Sequence, residues 1–134
     1  MDVEDLISSV YVPGGRDPAT GLDCYGLLLE VFRRLGVGLP DVAADWSPTW
    51  ADESPGDLVA QLHAPWSEVS RPYRAGDVVV IKWPSKDLPD HVGVLVDDRG
   101  TRMIHALLGT GTAVWKLSRV RQWVHGVYRH EALA

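Results

Sequence analysis

The chain contains one cysteine and five histidines, so few side chains can act as a nucleophile or as a proton acceptor. Cys24 stands where a glycine-rich loop meets an apolar-periodic segment, in "GLDCYGLLLEVFRRLG" (residues 21–36). The unpaired N–H groups and the positive dipole end of a helix N-terminus favour a thiolate. A free cysteine is more often a small buried hydrophobe, and Cys24 shares the apolar face of this segment. Its position alone leaves packing and reactivity both open.

A thiolate nucleophile needs a proton acceptor, which a third polar group usually holds in place. His91 and His105 lie on two strands of one predicted hairpin, "HVGVLVDDRGTRMIHAL". If its turn has three residues, with Gly100 in the left-handed region, the histidines share one face of the sheet. Their Cβ atoms would then lie about 5–8 Å apart, which allows one imidazole to hydrogen-bond the other. A turn with an even number of residues would place the two histidines on opposite faces of the sheet. The alternative is therefore that His91 and His105 are unrelated strand residues.

The first half of the chain carries helical signals. Residues 3–9 predict a short helix, and residues 11–21, with two prolines and three glycines, predict a loop. A longer helix should begin after Asp23 as N-cap and stop at Gly36. A further short helix is predicted over residues 54–62.

The second half consists of short β-branched runs separated by turn residues. These runs cover residues 77–83, 91–97, 101–107, 113–118 and 125–130. Helices followed by a strand meander indicate an α+β fold, with N-terminal helices packed on a mostly antiparallel sheet of about five strands. We expect residues 1–134 to form a single domain.

Composition excludes several classes of function. The net charge of −5 and the scattered Lys and Arg residues give no nucleic-acid footprint. No stretch approaches the roughly 20 apolar residues of a membrane span. Asp97 and Asp98 fit a hairpin turn better than a metal site, so we expect neither metal nor cofactor. Acidic residues near the N-terminus predict that no signal peptide is present and that the chain is made in the cytoplasm.

Several motifs in order carry a family resemblance. They are "YVPGG" (11–15), "GLDCYGLL", "RAGDVVVI" (74–81), "DHVGVLVDDRG" and "RMIHAL". Together they resemble the NlpC/P60 family of papain-like cysteine peptidases. That family has a D-C-S-G-like motif at a helix start, an H-V-G-I-Y-like strand and a second histidine near the end of the next strand. The resemblance covers most of the chain except a Trp/Pro-rich segment, roughly 41–72, which is expected to cover the cleft or to dock onto a partner.

The resemblance implies a role for each matched residue. Cys24 would be the nucleophile, His91 the general base and His105 the residue that orients the base. Tyr11 and Asp23 match positions that line the cleft and contact substrate. The implied activity is hydrolysis of stem-peptide bonds in bacterial peptidoglycan without a metal. We expect a thiol pKa well below that of a free cysteine, because of the helix start and the nearby imidazole.

Tyr25 departs from the family pattern, which usually has serine there, and it is expected to line and narrow the substrate cleft. The aromatic residue and the segment after it are similar to the phage-tail branch of the family. That likeness implies tail-tip proteins as partners and a virion-associated enzyme acting on the cell wall. Two alternatives stay open: a catalytically silent tail-tip assembly protein, and a Cys–His amidase or acyltransferase acting on another amide.

Overall fold

The computed structural model describes residues 1–42, 58 and 60–134 of the chain. The predicted helix over 54–62 lies largely outside these residues, as does the first part of the segment 41–72. Among the described residues, no helix is both long enough and apolar enough to cross a membrane.

Helix α1 (Cys24–Arg34) carries the predicted N-cap. The Asp23 side chain accepts a hydrogen bond from the Gly26 N–H at 2.7 Å, as Asp does at this position. The chain leaves the helix through Gly36, whose φ of +81° is open to glycine without strain. Both predicted ends of this helix are confirmed.

The N-terminal segment forms less helix than predicted. Residues 3–9 contain only a three-residue 3₁₀ turn, Glu4–Leu6. The Ser8 N–H bonds to the Thr112 carbonyl at 2.8 Å, and the Thr112 N–H bonds to the Ser9 carbonyl at 3.0 Å. Pairing with a distant strand therefore takes the backbone groups that a longer helix would need.

The predicted loop over 11–21 contains regular structure. Strands β1 (Arg16–Asp17) and β2 (Gly21–Leu22) form a small antiparallel pair, and Tyr11 makes a parallel bridge to Leu22. Gly21 has φ +137°, and a Cβ there would lie 2.3 Å from a Val12 methyl group. The glycine thus permits the close approach that brings this hairpin to the start of α1.

The main sheet has six strands, one more than predicted, with all neighbours antiparallel. They are β3 (Trp66–Glu68), β4 (Val78–Ile81), β5 (His91–Leu95), β6 (Arg102–Leu107), β7 (Gly111–Lys116) and β8 (Val124–His130). Their order is β3-β8-β4-β5-β6-β7, so only β4 to β7 form a meander and β8 returns to the other side of β4. The added strand, β3, is a short edge strand within the segment 41–72. The architecture is α+β and mostly antiparallel, as predicted.

Each face of the sheet covers its own apolar core. Val92 and Val94 of β5 pack with α1 on the first face. Leu95 and Met103 belong to a second cluster on the opposite face. Because strand side chains alternate, His91 and His105 project to the second face, with Leu95 and Met103.

Candidate active site

The hairpin formed by β5 and β6 has the register that the sequence predicts. Val94 pairs with Ile104 and Leu95 with Met103, so paired residue numbers have an even sum. Gly100 has φ +65°, as a left-handed turn residue requires. The Asp97 carboxylate accepts hydrogen bonds from the turn. The prediction that the two histidines share a face is confirmed.

His91 and His105 form a direct imidazole pair. Nε2 of His91 lies 3.0 Å from Nδ1 of His105, and the two residues are only 5% and 0% exposed. The pair is diagonal across the hairpin, since His105 would stand opposite Gly93 if the ladder continued. The predicted hydrogen bond between these side chains is therefore present.

Gly93, between the two histidines on the hairpin, makes room for the Met103 side chain. A Cβ at this position would lie 2.5 Å from both Cγ and Sδ of Met103. The ladder between the described strands β5 and β6 comprises the pairs at 94/104 and 95/103 and ends before Gly93. Regular pairing between the two strands thus stops before the histidines are reached.

Aromatic rings enclose the imidazole pair. The Trp83 ring lies 5.3 Å from His91, and the Trp115 ring lies 4.3 Å from His105 in a T-shaped arrangement. The Arg119 guanidinium carbon lies 3.7 Å from the centre of the Trp115 ring, a cation–π contact. Sequence reasoning did not assign Trp83, Trp115 or Arg119 to the site.

This enclosure keeps both imidazoles neutral at pH 7. Burial, and to a lesser extent the neighbouring His105, lowers the pKa of His91 to about 3. Burial, with a smaller contribution from the positive charge of Arg119, lowers the pKa of His105 to about 4. One imidazole therefore donates and the other accepts in the hydrogen bond that joins them.

Cys24 is the first residue of α1. It lies beside the backbone of β5, the strand that carries His91. The residue is 4% exposed and belongs to the apolar cluster under α1. The N–H of Val92, the residue that follows His91, lies close enough to the sulfur to lower the thiol pKa. The N-terminus of α1 thus meets β5 where its ladder with β6 has ended.

The predicted low thiol pKa is wrong for this structure. Burial raises the pKa of Cys24 to about 12, and the negative charges of Asp23 and Asp90 act in the same direction. The Val92 N–H and the Arg16 guanidinium lower it, but by less. The N-cap carboxylate that starts the helix is a negative charge beside the sulfur, and it opposes the dipole on which the prediction relied.

Asp23 is buried and fully engaged within the protein. One carboxylate oxygen accepts from the Gly26 N–H and from Arg16 Nη1 at 2.8 Å, and the other accepts from the Gly14 N–H at 3.1 Å. Arg16 also pairs with Asp41 at 2.8 Å. Asp23 therefore holds the start of α1 in place, while contact with substrate remains a prediction.

Tyr25 points away from the imidazole pair and into the core on the first face. It is 6% exposed, and its hydroxyl donates to the Pro40 carbonyl at 3.4 Å. Burial raises the pKa of its phenol to about 12. Tyr11 is half-buried beside β2. That either residue contacts substrate remains a prediction.

The structure joins His91 to His105 and places Cys24 beside Val92, the next residue of β5 after His91. In the described part of the chain, no group of three or more His, Cys, Asp or Glu side chains is arranged to hold a metal ion. A cysteine thiol and a neutral imidazole pair are the group types that nucleophilic attack with general-base assistance requires.

Solved structures resemble this fold. An NLP/P60 family protein from Staphylococcus aureus is 25% identical with a TM-score of 0.61, and the match covers 95% of this chain and 39% of that one. The NlpC/p60 domain of the peptidoglycan hydrolase SagA is 25% identical with a TM-score of 0.57, over 91% of this chain and 87% of that one. An NlpC/P60 family protein from Bacillus cereus, 17% identical with a TM-score of 0.62, matches over 96% of this chain and 37% of its own length. This chain therefore spans well under half the length of the staphylococcal and Bacillus proteins.

A comparison with curated proteins gave no match. The profile of the NlpC/P60 family matches residues 8–129, a range that includes Cys24 and both histidines of the pair. The fold is the papain-like fold of that family. The chain belongs to the NlpC/P60 family.

Proposed function

We propose that this protein is a cysteine peptidase that hydrolyses stem-peptide bonds of bacterial peptidoglycan, with Cys24 as nucleophile, His91 as general base and His105 as the residue that orients the base. The observation that carries the proposal is the buried imidazole pair, joined at 3.0 Å, whose His91 is followed on β5 by Val92, the residue whose N–H acts on the Cys24 thiol. Membership of the family and the similarity to a domain of a peptidoglycan hydrolase support this substrate class.

The imidazole pair fixes which nitrogen can accept the thiol proton. Nε2 of His91 faces His105, so Nδ1 is the atom available to act as base. Nδ1 can accept a proton only if the ring hydrogen is on Nε2, where it is donated to Nδ1 of His105. The hydrogen of His105 is then on its own Nε2. His105 thus selects the reactive tautomer of His91.

The reaction then follows the pattern of covalent acyl transfer. The Cys24 sulfur bonds to the carbonyl carbon of the stem peptide while its proton moves to Nδ1 of His91. The resulting imidazolium gives this proton to the leaving amine as the peptide C–N bond breaks. Water, deprotonated by His91, attacks the thioester and releases the carboxylic acid and the free thiol.

The pKa values indicate when the proton moves. A thiol with a pKa of about 12 and an imidazole with a pKa of about 3 are both neutral at rest. A preformed thiolate is therefore not the resting state. We propose that proton transfer accompanies attack, as in general-base catalysis.

Digestion of purified peptidoglycan tests the proposal. The wild-type protein should release new peptide fragments with free amino termini, and Cys24→Ala should release none. Circular dichroism and thermal unfolding would show that the variant is folded. A folded wild-type protein that releases no fragments would contradict the proposal and would favour the silent structural alternative. Release of ammonia or another amine without cleavage of a peptide bond would instead indicate an amidase.

We further propose that the enzyme acts as part of a phage tail. The support is the sequence similarity of the Tyr25 region to tail-associated members of the family, and the expected site of action is the host cell wall. Immunodetection on purified virions and co-purification with tail-tip proteins test this setting. Absence of the protein from virions would contradict the tail role and leave the peptidase proposal standing.

A further inference from the structure

A groove of about 670 Å³ lies at the end of the sheet away from the imidazole pair. The segment 71–73, the turn between β5 and β6, and the end of β7 form its walls. Arg102 lies three residues before His105 on β6, which corresponds to about 10 Å along a strand. The groove is therefore separate from the candidate active site.

Five cationic side chains line this groove. They are Arg71, Arg99, Arg102, Lys116 and Arg121. All five are exposed, and among the described residues none forms an ion pair with a carboxylate. By contrast, Arg16 and Arg129 bind carboxylates at 2.8 and 2.7 Å. A chain with a net charge of −5 thus concentrates five uncompensated positive charges in one place.

Two of these cations oppose each other in the sheet. Arg102 and Lys116 are directly paired residues of β6 and β7. Like charges at such a position destabilise a sheet. The carboxylate of the adjacent Asp97 is committed to the turn, where it accepts from the Thr101 hydroxyl and from the N–H groups of Thr101 and Arg102. An external anion would relieve the repulsion that the protein itself leaves in place.

The groove also has an apolar floor. Pro72, Tyr73 and Leu117 contribute to its lining. Gly100 packs so closely that a Cβ there would lie 2.6 Å from Tyr73 atoms, so the turn and the segment 71–73 form one wall. A cationic rim over an apolar floor suits a ligand with a charged end and an apolar or aromatic body.

We propose that this groove binds a diphosphate ester of an apolar or aromatic group. Guanidinium groups bind phosphate through paired hydrogen bonds, and four of the five cations are arginines. A single carboxylate would leave most of the positive charge uncompensated, whereas a diphosphate carries several negative charges in a short length. The volume is that of a small-molecule site. This inference does not depend on the peptidase proposal.

Calorimetric titration of the folded protein tests the site. The probes are inorganic pyrophosphate, a nucleoside diphosphate and a short prenyl diphosphate, with the unphosphorylated nucleoside and prenol as references. We expect one of the two esters to bind at least 10-fold more tightly than pyrophosphate, and the references not to bind. Which ester binds more tightly distinguishes an aromatic from a lipid source.

Charge-neutralising variants localise the binding. Arg102→Gln and Lys116→Gln should each weaken ester binding about 10-fold without lowering the Tm, because each removes one of two opposed cations. Arg33→Gln is the matched control, since it removes one charge outside the groove and should leave affinity unchanged. The proposal is overturned if no diphosphate ester binds below millimolar concentration, if both esters bind no better than pyrophosphate, or if Arg33→Gln weakens binding as much as Arg102→Gln does.

Discussion

The two halves of the candidate active site are built from different kinds of side chain. Charged groups surround the start of α1, where Asp23, Arg16 and Asp41 form a continuous ion-pair network beside Cys24. Aromatic rings surround the imidazole pair on the other face of the sheet. The proposed nucleophile thus begins a helix that a carboxylate caps, and the proposed base is enclosed by aromatic rings.

These different surroundings produce the same resting state. The carboxylate of Asp23 adds to the effect of burial in keeping the Cys24 thiol protonated. Aromatic burial keeps His91 unprotonated. Each half therefore disfavours its charged form, and in the proposed mechanism the two charges arise together as a proton passes from sulfur to imidazole. The following predictions test this difference between the two halves.

Removing the proposed base, His91, should have the largest effect. His91→Ala should lower peptidoglycan hydrolysis by about 10³-fold, because general-base catalysis contributes 10²–10⁴-fold. The matched control is His63→Ala, which changes an exposed histidine whose ring contacts the Ala64 carbonyl and should leave the rate unchanged. Initial rates of amino-terminus release at pH 7 measure the effect. Equal rates for His91→Ala and the wild type would show that another group accepts the thiol proton.

Substitutions of His105 should separate orientation from packing. His105→Leu leaves Nε2–H of His91 without an acceptor, and an unmade buried hydrogen bond costs roughly 1–3 kcal/mol, so we expect a decrease in kcat of about 100-fold. His105→Asn keeps an acceptor and should lose about 10-fold or less. The pH profile of kcat for the two variants provides the readout. Identical losses in both would indicate that His105 only fills space.

The sequence predicts the histidine pair well because strand parity is a strict rule. If the turn that contains Gly100 has an odd number of residues, His91 and His105 must lie on the same face of the sheet. The same rule applied to the next hairpin would have found Trp115, which pairs with Met103 and so shares the face of His105. Alternation along the predicted run 77–83 would likewise have placed Trp83 on the face of Ile81. Arg119 ends a short 3₁₀ turn, Leu117–Arg119, which the sequence pattern did not predict.

The environment of the sulfur could not be predicted in the same way. A helix start predicts a lowered thiol pKa only if the residues around it are known. Asp23 was correctly predicted to cap α1, but its charge acts on Cys24 as well as on the helix N–H groups. Arg16 reaches this site through a short β pair where the glycines and prolines predicted a loop. Burial and long-range charge are tertiary properties, and local motifs do not encode them.

The buried histidine pair should make the free energy of unfolding depend on pH. The folded-state pKa values of His91 and His105, about 3 and 4, lie below the ordinary value of 6.5. The unfolded chain therefore binds more protons between about pH 4 and 6.5, and the free energy of unfolding should fall as pH decreases through this window. The slope should approach about 1.4 kcal/mol per pH unit for each histidine. Urea unfolding at several pH values measures it.

The variants give this slope an internal control. His105→Leu removes one titrating group, so its slope between pH 4 and 6.5 should be shallower than that of the wild type. His63→Ala should have the wild-type slope. A wild-type stability that stays constant over this window would contradict neutral burial of the pair.

The smallest expected effect concerns Cys24 and the charged groups at the start of α1. Asp23→Asn should lower the pKa of Cys24, because it removes a negative charge next to the sulfur and keeps an N-cap of similar quality. The pH dependence of iodoacetamide alkylation measures this directly, since Cys24 is the single cysteine of the chain. In the wild type, alkylation should rise only above the ordinary thiol value of 9.0.

Asp41→Asn is a closely matched control for this substitution. It makes the same chemical change on the other carboxylate bound to Arg16, but Asp41 is not among the main causes of the shifted pKa of Cys24. If the two variants lower the pKa of Cys24 equally, the shift is caused by the change at Arg16, their shared partner, and not by loss of the charge beside the sulfur. If neither lowers it, burial alone keeps the thiol protonated. A shift in Asp23→Asn alone would show that the residue that begins the helix also sets the acidity of the nucleophile it positions.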